Sequence, residues 1–382
     1  MSWSRGGAIV AGLLALMLHH APAHAQRIPD AFRDPEDGRL DVSDYLLNRK
    51  GVLPIPIIIT EPALGYGGGL FITFFSQSMA ERARTTGRFA PPTVTGGGGF
   101  YTSNGSYGGT AFVFHPFRQD RFRLLAALGG ASLNLDFFGF DPEGPLADNP
   151  IAYTIEPLFA FTRFQGRVST TPLFVGLQYS YLRTKSRFEG TVPPEIEAFE
   201  LDEVVGGFGG GLEFDTRDNL LDARRGVDFT ATGMWFGPTL GGDESFALFD
   251  IQALLYGQPT PRWGYGLRVE TGLSSGDPPF FEKPSLSMRG LPAVKYLNNA
   301  TVLGEAELRY SIDTRWTVLA FGGGGRVAAS WHDLDEASSV FAGGTGFRYL
   351  MARQLGLSSG LDFAWGPGGE FAFYIQMGSA WR

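Results

Sequence analysis

What most limits the folds open to this chain is a strict alternation of apolar and polar or small residues. In residues 262–273, Trp263, Tyr265, Leu267, Val269, Thr271 and Leu273 fall on one face; Arg262, Gly264, Gly266, Arg268, Glu270 and Gly272 fall on the other. A period of two puts successive side chains on opposite faces of an extended strand and leaves no apolar stripe on a helix. Residues 302–312 repeat the pattern, with Val302, Gly304, Ala306, Leu308, Tyr310 and Ile312 opposite Leu303, Glu305, Glu307, Arg309 and Ser311. One face suits lipid or a core, the other suits water.

Such strands build either a soluble sandwich or a membrane barrel. The wet faces are laced with small residues, as in Gly207-Phe208-Gly209-Gly210-Gly211 and residues 322–325, where a solvent face would carry Lys, Glu and Thr. Aromatics recur at strand ends (Trp235, Trp263, Trp316, Trp331 and Trp381), where girdles at two membrane interfaces would place them. Most segments run to about 10 residues, the length a tilted strand needs to cross a bilayer. The composition agrees: aromatics are 14% and charged residues only 18%, against about 25% charged in soluble domains. These features predict an all-β fold, a transmembrane antiparallel β-barrel of about sixteen strands spanning residues 51–382, the first strand near Val52 and the last near Glu370.

Arg5, the apolar stretch at residues 8–18 and Ala23-His24-Ala25 read as a cleaved secretory signal over residues 1–25, followed by a short N-terminal segment at 26–50. No later run is long and apolar enough for a transmembrane helix, so the mature chain is either soluble or crosses a membrane as strands. Starting from a periplasmic N-terminus, the short turns fall on the periplasmic side and the long links at 137–149, 188–202 and 274–300 fall outside. The link at 77–92 is the exception, long yet periplasmic.

Three further elements carry a family resemblance. Ser287-Met288-Arg289-Gly290-Leu291 lies in the longest outer link and leads into the strand GEAELRYSI. FDTRDNLLDARRG at residues 214–226 forms a turn motif with Asp215, Arg217, Asp218, Asn219 and Gly226, and the sequence ends FAFYIQMGSAWR. Together these resemble the Arg-Gly loop, D-x-R-D-N turn and terminal strand of the BamA/TamA superfamily of outer-membrane assembly and secretion proteins, the bacterial surface antigens. The resemblance implies that the loop folds into the lumen and that Arg289, beside Gly290, pairs with Glu307 on the lumen face. Phe321-Gly322-Gly323-Gly324-Gly325 departs from the family's F-x-D-x-G strand, with Gly323 where an acid is expected, so the anchorage is weaker or differently shared and the Arg289–Glu307 pair carries more of it than in relatives. Residues 26–50 leave no room for a POTRA domain, so the resemblance is to a barrel-only member, with a periplasmic partner in place of those domains.

Catalytic chemistry finds little support. There is no Cys, and beyond the leader only His115 and His332 remain, with no HExxH and no GxSxG elbow. Glu305 and Glu307 are spaced as an acid–base pair, but they sit on one wet strand face beside Arg309, where lumen charge explains them. No cofactor or metal is implied, and a net charge of -8 gives no footprint for nucleic acid. The functional expectation is insertion or translocation of a client polypeptide or lipid at the outer membrane, in contact with outer-membrane lipid. The alternative is a passive or loop-plugged outer-membrane pore.

Overall fold

The computed structural model describes residues 32–78, 92–189, 200–379 and 381; the leader and most of the 77–92 link lie outside the described residues. Sixteen strands form one antiparallel sheet in chain order. They are β1 (Gly51–Ile59), β2 (Gly67–Phe75), β3 (Val94–Thr102), β4 (Tyr107–Phe117), β5 (Phe122–Phe137), β6 (Ile151–Arg167), β7 (Leu173–Phe188) and β8 (Glu200–Asp215), then β9 (Gly226–Phe236), β10 (Phe246–Gly257), β11 (Trp263–Gly276), β12 (Ala300–Ser311), β13 (Trp316–Ala328), β14 (Val340–Ala352), β15 (Leu357–Trp365) and β16 (Phe371–Met377). A five-residue helix α1 (Ser43–Leu47) precedes them, and no helix among the described residues is long and apolar enough to cross a membrane.

The alternation sets the wall. In β12, Leu303, Glu305 and Glu307 are buried while Gly304, Ala306 and Leu308 face outward; in β10, Leu254 and Tyr256 are buried and Ile251 and Leu255 are exposed. Each strand pairs with the next, and the two ends of the sheet approach each other through side chains. There Tyr66, just before β2, stacks on Phe373 of β16 with ring centroids 5.8 Å apart. Among the described residues no ladder joins β16 to β1.

Two expectations need correction. Strands β5 to β8 run to 16 or 17 residues, well beyond the about 10 a crossing requires. Their far ends are held by a plug of aromatic rings: Phe137, Tyr153 and Phe188 surround Phe280 from the β11–β12 link, at centroid distances of 5.5 to 5.6 Å. Burial beneath that link is what rewards the extra strand length. Secondly, Trp235, Trp263, Trp316 and Trp331 are exposed as girdle residues would be, but Trp381 is only 3% exposed. The last strand stops at Met377, and Gly378, at φ +76°, turns the chain inward.

The barrel is expected to resist SDS at room temperature and to shift in mobility only on boiling, because ladders join each strand to the next from β1 to β16. Leu255→Arg places a charge on the lipid face at a cost of about 2–4 kcal/mol, whereas Gln252→Arg enters the lumen beside Glu270. Folded yield in detergent should drop for the first and hold for the second; equal yields would mean the faces are misassigned.

Candidate functional site inside the barrel

The link between β11 and β12 folds into the lumen because it has an apolar side to bury. Leu286, Met288, Leu291 and Tyr296 pack on Leu303, Val327, Val340 and Ala342 of β12, β13 and β14. The glycine run of β13 is the seat. A Cβ on Gly323 would lie 2.9 Å from Met288 Sδ, and one on Gly325 would lie 2.8 Å from a methyl of Leu286. At Gly323, where the family resemblance implies an acid, a side chain would meet both the β12 backbone, at Gly304 O, and the loop.

Burial of this loop carries Arg289 down onto the lumen wall, 7% exposed. Its Nε and Nη2 donate to Glu305 Oε1 at 3.0 and 2.8 Å, and Nη1 donates to Asp362 Oδ2 at 2.8 Å. Nη1 also lies 2.8 Å from Glu307 Oε2, an ion pair that is off the line of an N–H bond. The guanidinium rests over the Phe321 ring at 3.6 Å. Glu307 lies beside Arg289, and two further carboxylates share the guanidinium. Asp362 of β15 and Glu305 supply what Gly323 does not.

Each acid has a second partner. Arg309 Nε donates to Glu307 Oε1 at 2.6 Å, Arg348 donates to both oxygens of Asp362 at 2.6 and 2.9 Å, and Trp381 Nε1 donates to Glu305 Oε2 at 2.7 Å. Sharing of this kind offsets the desolvation of charges held away from water. Gly290, at φ +96°, makes the turn that aims Arg289, and its N–H donates to Tyr374 Oη at 3.0 Å. Outward of this, Ala293 N–H bonds Glu61 Oε1 at 3.0 Å and Lys295 reaches Glu370 at 2.8 Å, so the loop touches both sides of the β1–β16 boundary.

From the opposite end comes the C-terminal tail. Gly378 N–H donates to Ser358 O, Ser379 N–H donates to Leu221 O, and Ser379 Oγ lies 3.0 Å from Tyr256 Oη. Trp381 packs with Ala223, Leu254 and Tyr256, on a stretch of wall bared by Gly266, where a Cβ would come within 2.5 Å of the indole.

The turn that receives the tail shows why its motif has those letters. Asp215 accepts from Arg217 N and, bidentately, from its guanidinium at 3.0 and 2.8 Å, and Arg217 also pairs with Asp228. Asp218 Oδ1 takes the N–H groups of Arg224 and Arg225, and Asn219 Oδ1 takes that of Leu221 while its Nδ2 donates to Leu355 O at 2.7 Å. Gly226, at φ +114°, lies against Thr216 O, where no Cβ fits. These bonds clamp the turn to itself and to the β14–β15 turn. Among the described residues no group of His, Asp or Glu is placed to hold a metal ion.

No protein-family model matches this sequence, and no curated protein does. Solved structures are similar. BamA from Haemophilus ducreyi lacking POTRA domains 1–3 matches with a TM-score of 0.61 at 12% identity, over 86% of this chain and 70% of that one. The chain shares the BamA and CdiB barrel fold. CdiB from Escherichia coli gives a TM-score of 0.57 at 11% identity, and CdiB from Acinetobacter baumannii 0.54 at 9%. Each covers 85% of this chain, which spans 61% and 59% of those chains, less than two thirds of their length.

A second charged site, for which the sequence carries no local signal, clasps residues 34–41 beneath the short-turn end. Arg315, in the β12–β13 turn, is fully buried and donates to Asp34, Asp37 and Asp41 at 2.6 to 2.7 Å, while Arg353 in the β14–β15 turn donates to Asp34 and Glu36. Val42, Leu46 and Leu47 pack on Leu355, Leu357 and Leu221. The Glu36 N–H and the Arg353 guanidinium hold Asp34 below the usual carboxylate range despite its burial, and Arg315 does the same for Asp37. Asp313, bonded by Arg39, is pushed down to about 2.

Arg289→Ala should destabilise the barrel by about 3 kcal/mol, and Arg289→Lys should not restore it, since one ammonium cannot reproduce the fork. Glu307→Ala should cost less, because Glu305 and Asp362 still hold the guanidinium; equal losses in urea unfolding would argue for a single pair. The clasp follows the depressed acids: it is complete above their ordinary pKa near 3.8 and is lost as pH falls through the lower folded values. Protease cleavage within residues 34–48 should therefore rise only below the ordinary carboxylate value near 3.8, and a rise already above about pH 5 would rule the clasp out.

Proposed function

We propose that this chain resides in the outer membrane of a Gram-negative bacterium and assists insertion or translocation of polypeptides or lipids there. The observation that carries the reading is the boundary between β1 and β16. Every other neighbouring pair of strands shares a hydrogen-bonded ladder, whereas among the described residues none joins this pair, and the two ends of the sheet meet through side chains such as Tyr66, just before β2, and Phe373 of β16. The lumen, meanwhile, is occupied by the Arg289 loop and the Trp381 tail. A wall that opens sideways around a filled centre suits a client passing between strands and lipid. The fold likeness to BamA supports the same reading. A leader at 1–25, an N-terminal segment at 26–50 and a barrel over 51–382 belong to it, as does a periplasmic protein that hands over the client.

The second reading, a plugged pore, rests on the loop being seated by one polar cluster that a stimulus could release. Reconstitution separates the two. Liposomes carrying the chain should fold a urea-unfolded outer-membrane barrel several-fold faster than empty liposomes. A Tyr66→Cys/Phe373→Cys disulfide, with no native cysteine to compete, should remove the gain until reduced. Free conductance in planar bilayers with no effect on client folding would replace insertion by the pore.

A further inference from the structure

The two edges of the open boundary differ. In an antiparallel sheet the N–H and C=O of one residue serve the same neighbour, and alternate residues serve opposite neighbours. In β1 the odd-numbered residues serve β2: Thr73 Oγ1 donates to Leu53 O at 2.9 Å, and Ile57 O lies toward Gly68. Val52, Pro54, Pro56 and Ile58 therefore point at β16. Pro54 and Pro56 have no N–H to give. The Val52 carbonyl accepts from Arg49 Nε at 2.8 Å. Of the four edge positions, Ile58 is left with both groups to offer.

The edge of β16 is intact over residues 371–375. Gly378 N–H donates to Ser358 O and Gln376 O accepts from Ser359 Oγ, so even-numbered residues serve β15. Phe371, Phe373 and Ile375 face β1, each with a donor and an acceptor, and β16 contains no proline. In hydrocarbon an unmet N–H is costly, so a strand meant to stay unpaired is better without one, whereas a strand bearing all its donors calls for a partner. A proline within a strand is tolerated where no ladder N–H is required, on an edge or at a break in the ladder such as the one beside Pro157 of β6.

The geometry points to β16 as the edge that takes up an incoming strand, with β1 built to refuse one. The inference rests on the seam reading of function and specifies the occupant. Since β16 runs toward the short-turn end, its antiparallel partner runs away from that end. It is an ascending strand of another membrane barrel, with alternate apolar residues continuing the outward face of Phe371 and Ile375. A second copy does not fit: its β16 would lie parallel in the same membrane, and its β1 carries the same two prolines.

The absence of cysteine makes this measurable by disulfide trapping. The probe is a synthetic hairpin of residues 94–117, with Tyr101→Cys in the ascending strand or Tyr107→Cys in the descending one. The full chain carries Phe371→Cys or Ile58→Cys in liposomes; all four positions lie at the long-link end. Phe371→Cys should trap the Tyr101→Cys hairpin at least about tenfold better than Ile58→Cys traps the Tyr107→Cys hairpin, two donors being missing from β1. Pro54→Ala/Pro56→Ala should abolish the bias, either by raising trapping at Ile58→Cys or by zipping β1 to β16 and suppressing both. Equal trapping in the parent, or preference for Ile58→Cys, overturns the edge assignment and leaves the seam function standing. Trapping at neither edge overturns both.

Discussion

A guanidinium held away from water is tolerable only where carboxylates surround it, and Arg289 meets that condition with acids from two strands that are not neighbours. Glu305 and Glu307 project from β12 and Asp362 from β15. Because the charge cannot be left unmatched, the loop that carries it must lie against the wall in one register. That register places Met288 and Leu286 over Gly323 and Gly325, turns Gly290 toward Tyr374, and sets Ala293 and Lys295 across the seam. Replacing such a cluster by apolar residues would not by itself weaken the barrel, since buried ion pairs add little net stability. Here the charges fix where the loop goes.

The tail depends on the same acids. Glu305 divides its oxygens, one for Arg289 and one for the Trp381 indole, so loop and tail, entering from opposite ends, meet on a single carboxylate. The turn at residues 215–226 holds the tail by Leu221 O, and through Asn219 it also holds the β14–β15 turn, beneath which residues 42–47 pack. Polar contacts thus run from the outer link to the N-terminal segment through the interior of the sheet.

Alternation makes most of this wall legible in the sequence, since a period of two assigns every strand residue a face. Arg289, Glu307 and the D-x-R-D-N turn are visible through local patterns. Asp362 is not, because one acid in LDFAW looks like any other lumen charge until β15 is set opposite the loop. Trp381 misleads for a related reason: a tryptophan at a chain end resembles a girdle residue, and only Gly378 hints that the strand has stopped. The clasp of Asp34, Asp37 and Asp41 on Arg315 joins positions more than 270 apart, and neither partner's neighbours signal the other. Strand length exceeds what a bilayer requires where the aromatic plug around Phe280 stabilises the additional sheet.

The clasp also decides how the barrel would bear a load. Tension on the chain upstream of Phe32 would reach Asp34 before it reached β1, and Arg315 and Arg353 would pass it to the turns ahead of β13 and β15. Those ion pairs share the pull side by side and must yield together. The β1–β2 ladder, pulled from its free end, would instead open by successive single hydrogen bonds, like a zip. The weakest boundary of the sheet is in this way mechanically insulated from whatever tugs on the N-terminus.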